Sequence, residues 1–497
     1  MKKLFVVILG IFQIVVFSQT QDLEKLAQGK YLGLQSISDD HKNVFGYFAL
    51  YDLGKTENDK KKKKLEYIIF DKNLNSLFTG NFESDESAIE YYPYLNSERQ
   101  IIITPSFNTY DLLFDKSFYI PSDFIINLDD YQLKKKSKLK YDGVNLISIS
   151  SSKTNKEIKE DNKNLKKESG YKLYPEIVEL DNGQVVIYEF KDTKSGFKDI
   201  SVKLFSKDYQ KLWEYRFFDK DHKYNSINFK IANYDDDVLV AKIQKRQEGE
   251  PEYFFLVFDM KNGKVLNKLS FPYENHLYIT LNSIDGAVNG KYNTDEKLTS
   301  LLRYSGSSLN FNNEGYVKLV YDKKLNQLSF NEINLQDLYK DHKDIEELKD
   351  PFDLKDLDIK SVNFLKNNDI IAVFQKINRK NKNVSDVIIM DFDPAMNLKN
   401  IKTYPSQKNS TFLFSQYLND QKDIVYFYAN TEKNNKEKKW NLYINTIING
   451  QYKQEILPLS SENNFTIPYN AKEGYILLQE CNEKEKFNNI RLERLNY

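Results

Sequence analysis

The sequence predicts an all-β fold assembled from a repeated antiparallel sheet, with few helices. Three observations carry that reading. Apolar and aromatic runs of strand length recur along the whole chain, and aromatic residues make up 14% of its 497 positions. Clusters of Asn, Asp and Gly punctuate those runs, as tight turns require. The turns fall into two ladders with the same period, the mark of an internal repeat.

The first ladder is an apolar strand that runs into a polar turn and a second strand. It stands as YIIFDKNLNSL at 67–77, VKLFSKDYQKL at 202–212, FLVFDMKNGKV at 255–265, VKLVYDKKLN at 317–326 and IIMDFDPAMNL at 388–398. Weaker copies bring the turns to eight, near residues 71, 129, 206, 259, 322, 393, 446 and 495. The mean step is about 61 residues, longer than common propeller repeats but compatible with long loops. The second ladder is a polar turn that feeds an apolar strand. LDNGQVVIY at 180–188, NYDDDVLV at 233–240 and LKNNDIIAV at 365–373 belong to it, with weaker copies near Ser38 and Leu281. One rung of each ladder per unit gives a meander of about four short strands. A sheet of that kind has two apolar faces, and radial stacking buries each against its neighbour. The expected architecture is a β-propeller of about eight four-stranded blades, with seven as the alternative.

Closure follows from the ends. The last unit, from Phe465 to Leu495, supplies three strands, and residues 30–37 are expected to add its outer one. Two intervals stretch the period and read as insertions near 134–169 and 331–359. The first holds a strand pair around Val144 to Ile149. The second places Leu335, Leu338, Tyr339, Ile345 and Leu348 at helical spacing before Pro351. A further short helix is expected over residues 295–304.

The chain opens with Lys2 and Lys3, an apolar run from Leu4 to Phe17, and a polar turn at Ser18. This reads as a secretory signal peptide over residues 1–18, with the propeller occupying 19–497. The expected location is therefore periplasmic or extracellular, with no membrane span after cleavage. Lys+Arg and Asp+Glu are both 72. That balance lacks the basic excess of a nucleic-acid binder, so nucleic acid is not expected as a partner. The single cysteine, Cys481, permits no intrachain disulfide framework.

Catalytic and metal-binding signatures are sparse. The sequence holds no HExxH, no GxSxG and no glycine-rich phosphate loop. His41, His222, His276 and His342 lack a second histidine at ligand spacing. Asp235, Asp236 and Asp237, like Asp391 and Asp393, occupy turn positions and lack the calcium-loop spacing. No metal and no cofactor are expected. Lys60 to Lys64 reads as a solvated hairpin tip. Tyr91, Tyr92 and Tyr94 are the candidate binding residues, because tyrosine rings stack on sugars; inner-strand packing competes for them. Trp213 and Trp440 sit within strand patterns and read as core.

The repeated units behind an export signal resemble secreted and periplasmic bacterial β-propellers. The turn at 367–373, NNDIIAV, looks like the inner turn of TolB-type blades. The Trp-Asp dipeptide of another propeller family is absent, since Trp213 precedes Glu214 and Trp440 precedes Asn441. The resemblance implies architecture and leaves the ligand open. The function expected is a non-catalytic binding or scaffold module for a protein or glycan of the cell envelope. The alternative is a glycan-active hydrolase or lyase with carboxylates and tyrosines in the propeller funnel.

Overall fold

The computed structural model describes residues 20–495 apart from 40–42, 108–117, 120–123, 150–159, 165–171, 193–197, 218–225, 247–251, 271–296, 306–313, 323–327, 342–356, 378–383, 405–410 and isolated positions. Residues 1–18, expected as a signal peptide, and all four histidines lie outside the described residues.

Eight blades follow one another in chain order. They occupy residues 30–85, 88–135, 172–216, 226–270, 297–334, 357–404, 411–458 and 464–494. Each is an antiparallel meander, so the chain forms a β-propeller. Blades 1 and 2 merge into one eight-stranded sheet through a single parallel pair, Ser38 with Tyr94, between their inner strands. Blade 5 shows three strands among the described residues. The sequence rung near Leu281 falls outside the described residues.

Central strands read differently from outer ones because a blade is covered on both sides. The second strand of blade 1, Val44–Lys55, buries Tyr47, Phe48, Ala49, Leu50 and Tyr51 in succession. The outer strand Ser76–Asp85 alternates and buries only Phe82 and Ser84. The apolar faces then meet around the wheel. Phe48 and Tyr67 of blade 1 join Ile101 and Phe124 of blade 2. Leu204 and Trp213 of blade 3 join Leu239 and Phe258 of blade 4. Val373 and Ile389 of blade 6 face Tyr426 and Tyr428 of blade 7. Each large side chain removed from water in this way contributes about 1.5–3 kcal/mol.

The ring closes between blade 8 and blade 1, though not with the strand expected. Residues 30–37 form the inner strand of blade 1 (Lys30–Ser38). The outer strand of blade 8 is Gln21–Asp22, which pairs with Ile490 and Asn489. Two residues suffice because side chains extend the pairing. The Asp22 carboxylate accepts the Asn488 N–H at 3.3 Å, and the Asn488 amide donates to Glu24 at 2.5 Å. Leu23, Leu34 and Tyr47 then pack on Leu477 and Ile490.

The insertions differ in kind. The strand pair expected near Val144 to Ile149 is the hairpin Lys138–Tyr141 with Leu146–Ile149, and Phe118–Tyr119 adds a third strand. Val144 itself lies in its turn. The small sheet packs Leu139, Tyr141 and Leu146 on Ile177, Val185 and Phe205 of blade 3. The helix after blade 5, α1 (Leu335–Asp341), lays Leu335 and Leu338 against blades 5 and 6. Residues 297–304, expected as helix, lie instead in the strand Lys297–Ser305, paired along its length with Glu314–Asp322. Leu298, Leu301 and Leu302 mimic helical spacing, but a free neighbouring strand outweighs that local preference.

Three of the ladder turns, those after the third strands of blades 1, 3 and 6, share one geometry. In the turn after the third strand of blade 1, the Asp71 carboxylate accepts the Asn73 N–H, the Asn75 N–H and the Asn75 amide, each at 2.8 Å. The fourth residue, Leu74, has φ 70°. Tyr209 and Met396 repeat this at φ 62° and 72°. A left-handed conformation costs a side-chain-bearing residue about 1–2 kcal/mol. Burial offsets that cost, since Leu74 and Met396 are tucked between blades.

Candidate functional site

A cleft of about 430 Å³ opens on the turn face between blades 1 and 2. Asp39 and Asn43 with the turn 71–75 of blade 1 meet Arg99 and the turn 127–132 of blade 2 to build it. Val44, Phe45, Leu77, Leu95, Leu128 and Tyr131 supply apolar surface. Asp39, Asn43, Asp71, Lys72, Asn73 and Arg99 supply the polar rim. Its volume lies in the range of small-ligand sites, about 300–1,000 Å³.

The rim charges are not equivalent. The Asp39 carboxylate takes the Asn43 N–H at 2.8 Å and its side-chain amide at 3.2 Å. Asp71 is engaged by Asn73 and Asn75 as described. Partial desolvation pushes the Asp71 carboxyl up, but these hydrogen bonds and nearby Lys472 prevail and hold it below the usual carboxylate range. Both acids are therefore committed to holding turns. Lys72 and Arg99 are exposed and make no ion pair among the described residues. Lys472 reaches the same rim from blade 8 and donates to the Asn73 side-chain oxygen at 2.6 Å.

A second blade junction shows why this cleft is open. The turns of blades 2 and 4 after the third strand are each one residue longer than the five-residue form. In both, the second residue (Leu128 or Met260) is buried, and its N–H donates to the neighbouring turn at Arg99 or Asp237. In both, the fifth residue is left-handed: Tyr131 at φ 54° and Gly263 at φ 70°. The outer strand of the preceding blade presents an aromatic ring to that residue. At blades 3 and 4 the ring is Trp213, whose indole N–H donates to the Met260 carbonyl at 2.8 Å. A Cβ on Gly263 would lie 2.6 Å from the Trp213 ring, so glycine is required and the indole fills the groove. At blades 1 and 2 the ring is the smaller Phe78, 4.8 Å from the Tyr131 ring. Tyr131 stands 47% exposed at the mouth and Leu77 38% exposed. Gly263→Ala is expected to cost about 2–3 kcal/mol, from the left-handed backbone and displacement of the indole. Thermal unfolding of the variant measures it, and an unchanged midpoint would contradict the contact.

The tyrosines singled out in the sequence lie on the inner strand of blade 2, Ala88–Leu95, and none lines the cleft. Tyr91 is buried against Phe82 with centroids 5.6 Å apart. Tyr92 and Tyr94 point to the opposite face and are exposed. The Tyr92 hydroxyl donates to the Glu90 carboxylate, and that hydrogen bond raises its pKa above the ordinary tyrosine value. Lys62 to Lys64 begin the third strand of blade 1, and the Lys63 ammonium donates to the Ala88 carbonyl at 2.6 Å. Asp393 is a turn residue as expected, held by Asn397. Asp391 is not: it lies within the strand Val384–Phe392 and is buried. Burial pushes the Cys481 thiol up to about 11, which leaves it unreactive at neutral pH.

Fold and cleft define a β-propeller with a ligand-sized depression between two blades. No protein-family model matches the chain, and no curated protein sequence does. Solved propellers align along most of it. The WD40 domain of SCAP from fission yeast is 9% identical over 96% of this chain and 97% of that one, with a TM-score of 0.36. The β-propeller domain of the Trilobed protease from Pyrococcus furiosus is 10% identical over 86% and 95%, at 0.34. The Nup133 β-propeller domain from Vanderwaltozyma polyspora is 10% identical over 95% and 100%, at 0.31. Scores of this size only accompany the strand pairing, which by itself defines the wheel.

Proposed function

We propose that the protein is an exported, non-catalytic propeller of the cell envelope that holds a protein or glycan partner in the cleft between blades 1 and 2. The carrying observation is the cleft itself, with the exposed ring of Tyr131 at the turn position where blade 4 has Gly263 packed under Trp213. An aromatic anchor on an apolar floor inside a polar rim is the arrangement of a recognition site. Its two carboxylates hold turns, and the lowered pKa of Asp71 is the reverse of what a general acid needs. Export is read from Lys2, Lys3 and the apolar run from Leu4 to Phe17. Leader removal must fall before Gln21, because Gln21 and Asp22 close the ring.

The test uses the full chain and a Leu77→Asp/Tyr131→Ala variant, crosslinked in envelope extract and incubated with a polysaccharide panel. The wild type is expected to retain a partner that the variant loses by about tenfold or more, and neither protein to cleave a glycan. Turnover of a glycan by the wild type would favour the hydrolase or lyase reading. A partner retained equally by both proteins would remove the cleft from consideration. N-terminal mass spectrometry of the exported protein is expected to find Gln21 and Asp22 intact.

A further inference from the structure

Resting on the reading of the cleft as a binding site, we infer that the N-terminal clasp that closes the ring, Gln21 to Leu23, also sets the cleft. With the clasp seated, the blade-1 wall of the cleft is held in its binding shape, and release of the clasp frees that wall. The wall is the turn 71–75, which gives Asp71, Lys72 and Asn73 to the cleft. Its back is fastened across the seam between blades 8 and 1. The Gln21 side-chain amide donates to the Leu74 carbonyl at 2.6 Å. The Leu74 side chain is fully buried in one cluster with Leu23, Leu477 and Ile490. Lys472 of blade 8 donates to the Asn73 side chain at 2.6 Å. Leu74 is left-handed, at φ 70°, a conformation that persists where the surroundings hold it.

Blade 6 shows what is particular to this turn. The turn 393–397 repeats its internal hydrogen bonds, and Met396 is likewise left-handed and buried. Lys318 supports it from outside by donating to the Pro394 carbonyl. That support comes from blade 5, which precedes blade 6 on the continuous chain. Blades 8 and 1 lie at opposite ends of the chain, and the clasp joins them through two strand pairs, Gln21 with Ile490 and Asp22 with Asn489. Local opening begins where few contacts hold a chain end. The opposite wall of the cleft is fastened within its own blade, where the Leu128 N–H donates to the Arg99 carbonyl at 3.2 Å. Clasp and blade-1 wall are therefore coupled, and the coupling is reciprocal: an occupant that fixes the turn also seats the clasp.

Amide hydrogen exchange compares the full chain with a Gln21→Ala/Lys472→Met variant. Exchange at Asn73, Leu74 and Asn75 is expected to rise about tenfold, the effect of two lost hydrogen bonds, while Ala395, Met396 and Asn397 keep the wild-type rate. Asp71→Ala loosens the turn from its other side and is expected to speed exchange at Asn488, whose N–H donates to the Asp22 carboxylate. In the envelope-extract crosslinking experiment, the Gln21→Ala/Lys472→Met variant is expected to retain several-fold less partner than the wild type. Unchanged rates at 73–75 overturn the inference. An equal rise at 395–397 overturns it too, because it reports a general loss of stability. A loosened turn with undiminished partner capture also overturns it, since the clasp then does not set the site. With no partner captured by the wild type, the binding reading falls, and the exchange rates alone decide the coupling.

Discussion

Replacement of Lys203 by Met is expected to destabilise the protein by about 3–5 kcal/mol, the cost of leaving one member of a buried ion pair alone. Lys203 and Glu189 are 3% and 1% exposed, and their charged atoms lie 2.5 Å apart. The ammonium has three acceptors: the Glu189 carboxylate, the Tyr141 hydroxyl and the Gly143 carbonyl. Ser201 donates to the same Glu189 oxygen at 3.1 Å, and the Tyr141 hydroxyl passes its own hydrogen to Gly143 at 2.8 Å. Tyr141 and Gly143 belong to the small sheet, so one lysine ties that sheet to blade 3. Methionine fills a similar volume but supplies no charge. Glu189 is then buried without its cation, and the hairpin loses its polar tether. Urea denaturation measures the loss, and amide exchange in Lys138–Tyr141 and Leu146–Ile149 is expected to accelerate. Adding Glu189→Leu to Lys203→Met removes the stranded carboxylate and is expected to recover most of the stability, since apolar replacement of a whole buried pair is often neutral. A single variant as stable as wild type, or a double variant no better than the single, contradicts this account.

Lys203 also marks a limit of what the sequence makes legible. In VKLFSKDYQ it reads as one more exposed lysine of a repeated strand. Only the third-strand position, covered on both faces, reveals that its ammonium needs an internal partner. Lys318 of VKLVYDKKLN stands at the same ladder position and reaches the Pro394 carbonyl of the next blade. The blades themselves are plain in the sequence, because Asp and Asn fix their turns through bonds within five residues. The turn near 71 and the one near 393 fall where Asp71 and Asp393 accept from Asn75 and Asn397. The ring-closing strand is hidden because Gln21–Asp22 is too short to show a pattern. The cleft is hidden because it is assembled between units, from residues spread over 39–131. One signal does point to it. The turn NLDDYQ at 127–132 is a residue longer than DKNLN at 71–75, and it places an aromatic where DMKNGK at 259–264 has glycine.

Asp391→Asn is expected to stabilise the protein by up to about 3 kcal/mol at neutral pH and to remove a pH dependence between about pH 4 and 6. Asp391 is 5% exposed on the face of blade 6 that meets blade 7, and its Oδ1 has no hydrogen-bond partner among the described residues. Loss of water pushes its carboxyl up from 3.8 to about 6; Lys399 opposes the rise and Asp369 adds to it. Lys399 gives Asp391 little help because its ammonium is 2.5 Å from the Asp369 carboxylate. From blade 7 the facing groups are Tyr426 and Tyr452, both neutral, with Tyr404 beside them on blade 6. The sign follows from proton binding. Between pH 3.8 and 6 the folded chain holds a proton that the unfolded chain has released, so stability falls as pH rises through this window. Below it the carboxyl is neutral in both states and costs nothing. Above it the charge is buried in full, and the displacement from 3.8 to about 6 corresponds to about 3 kcal/mol. Asparagine has the same shape and no charge at any pH. The difference in unfolding free energy between variant and wild type should therefore open between pH 4 and 6 and level off above it. Urea denaturation across pH 3.5 to 8 measures that curve. A difference that is flat with pH, or that favours the wild type at pH 7, would show that water or a neighbouring donor satisfies the carboxylate in the folded state.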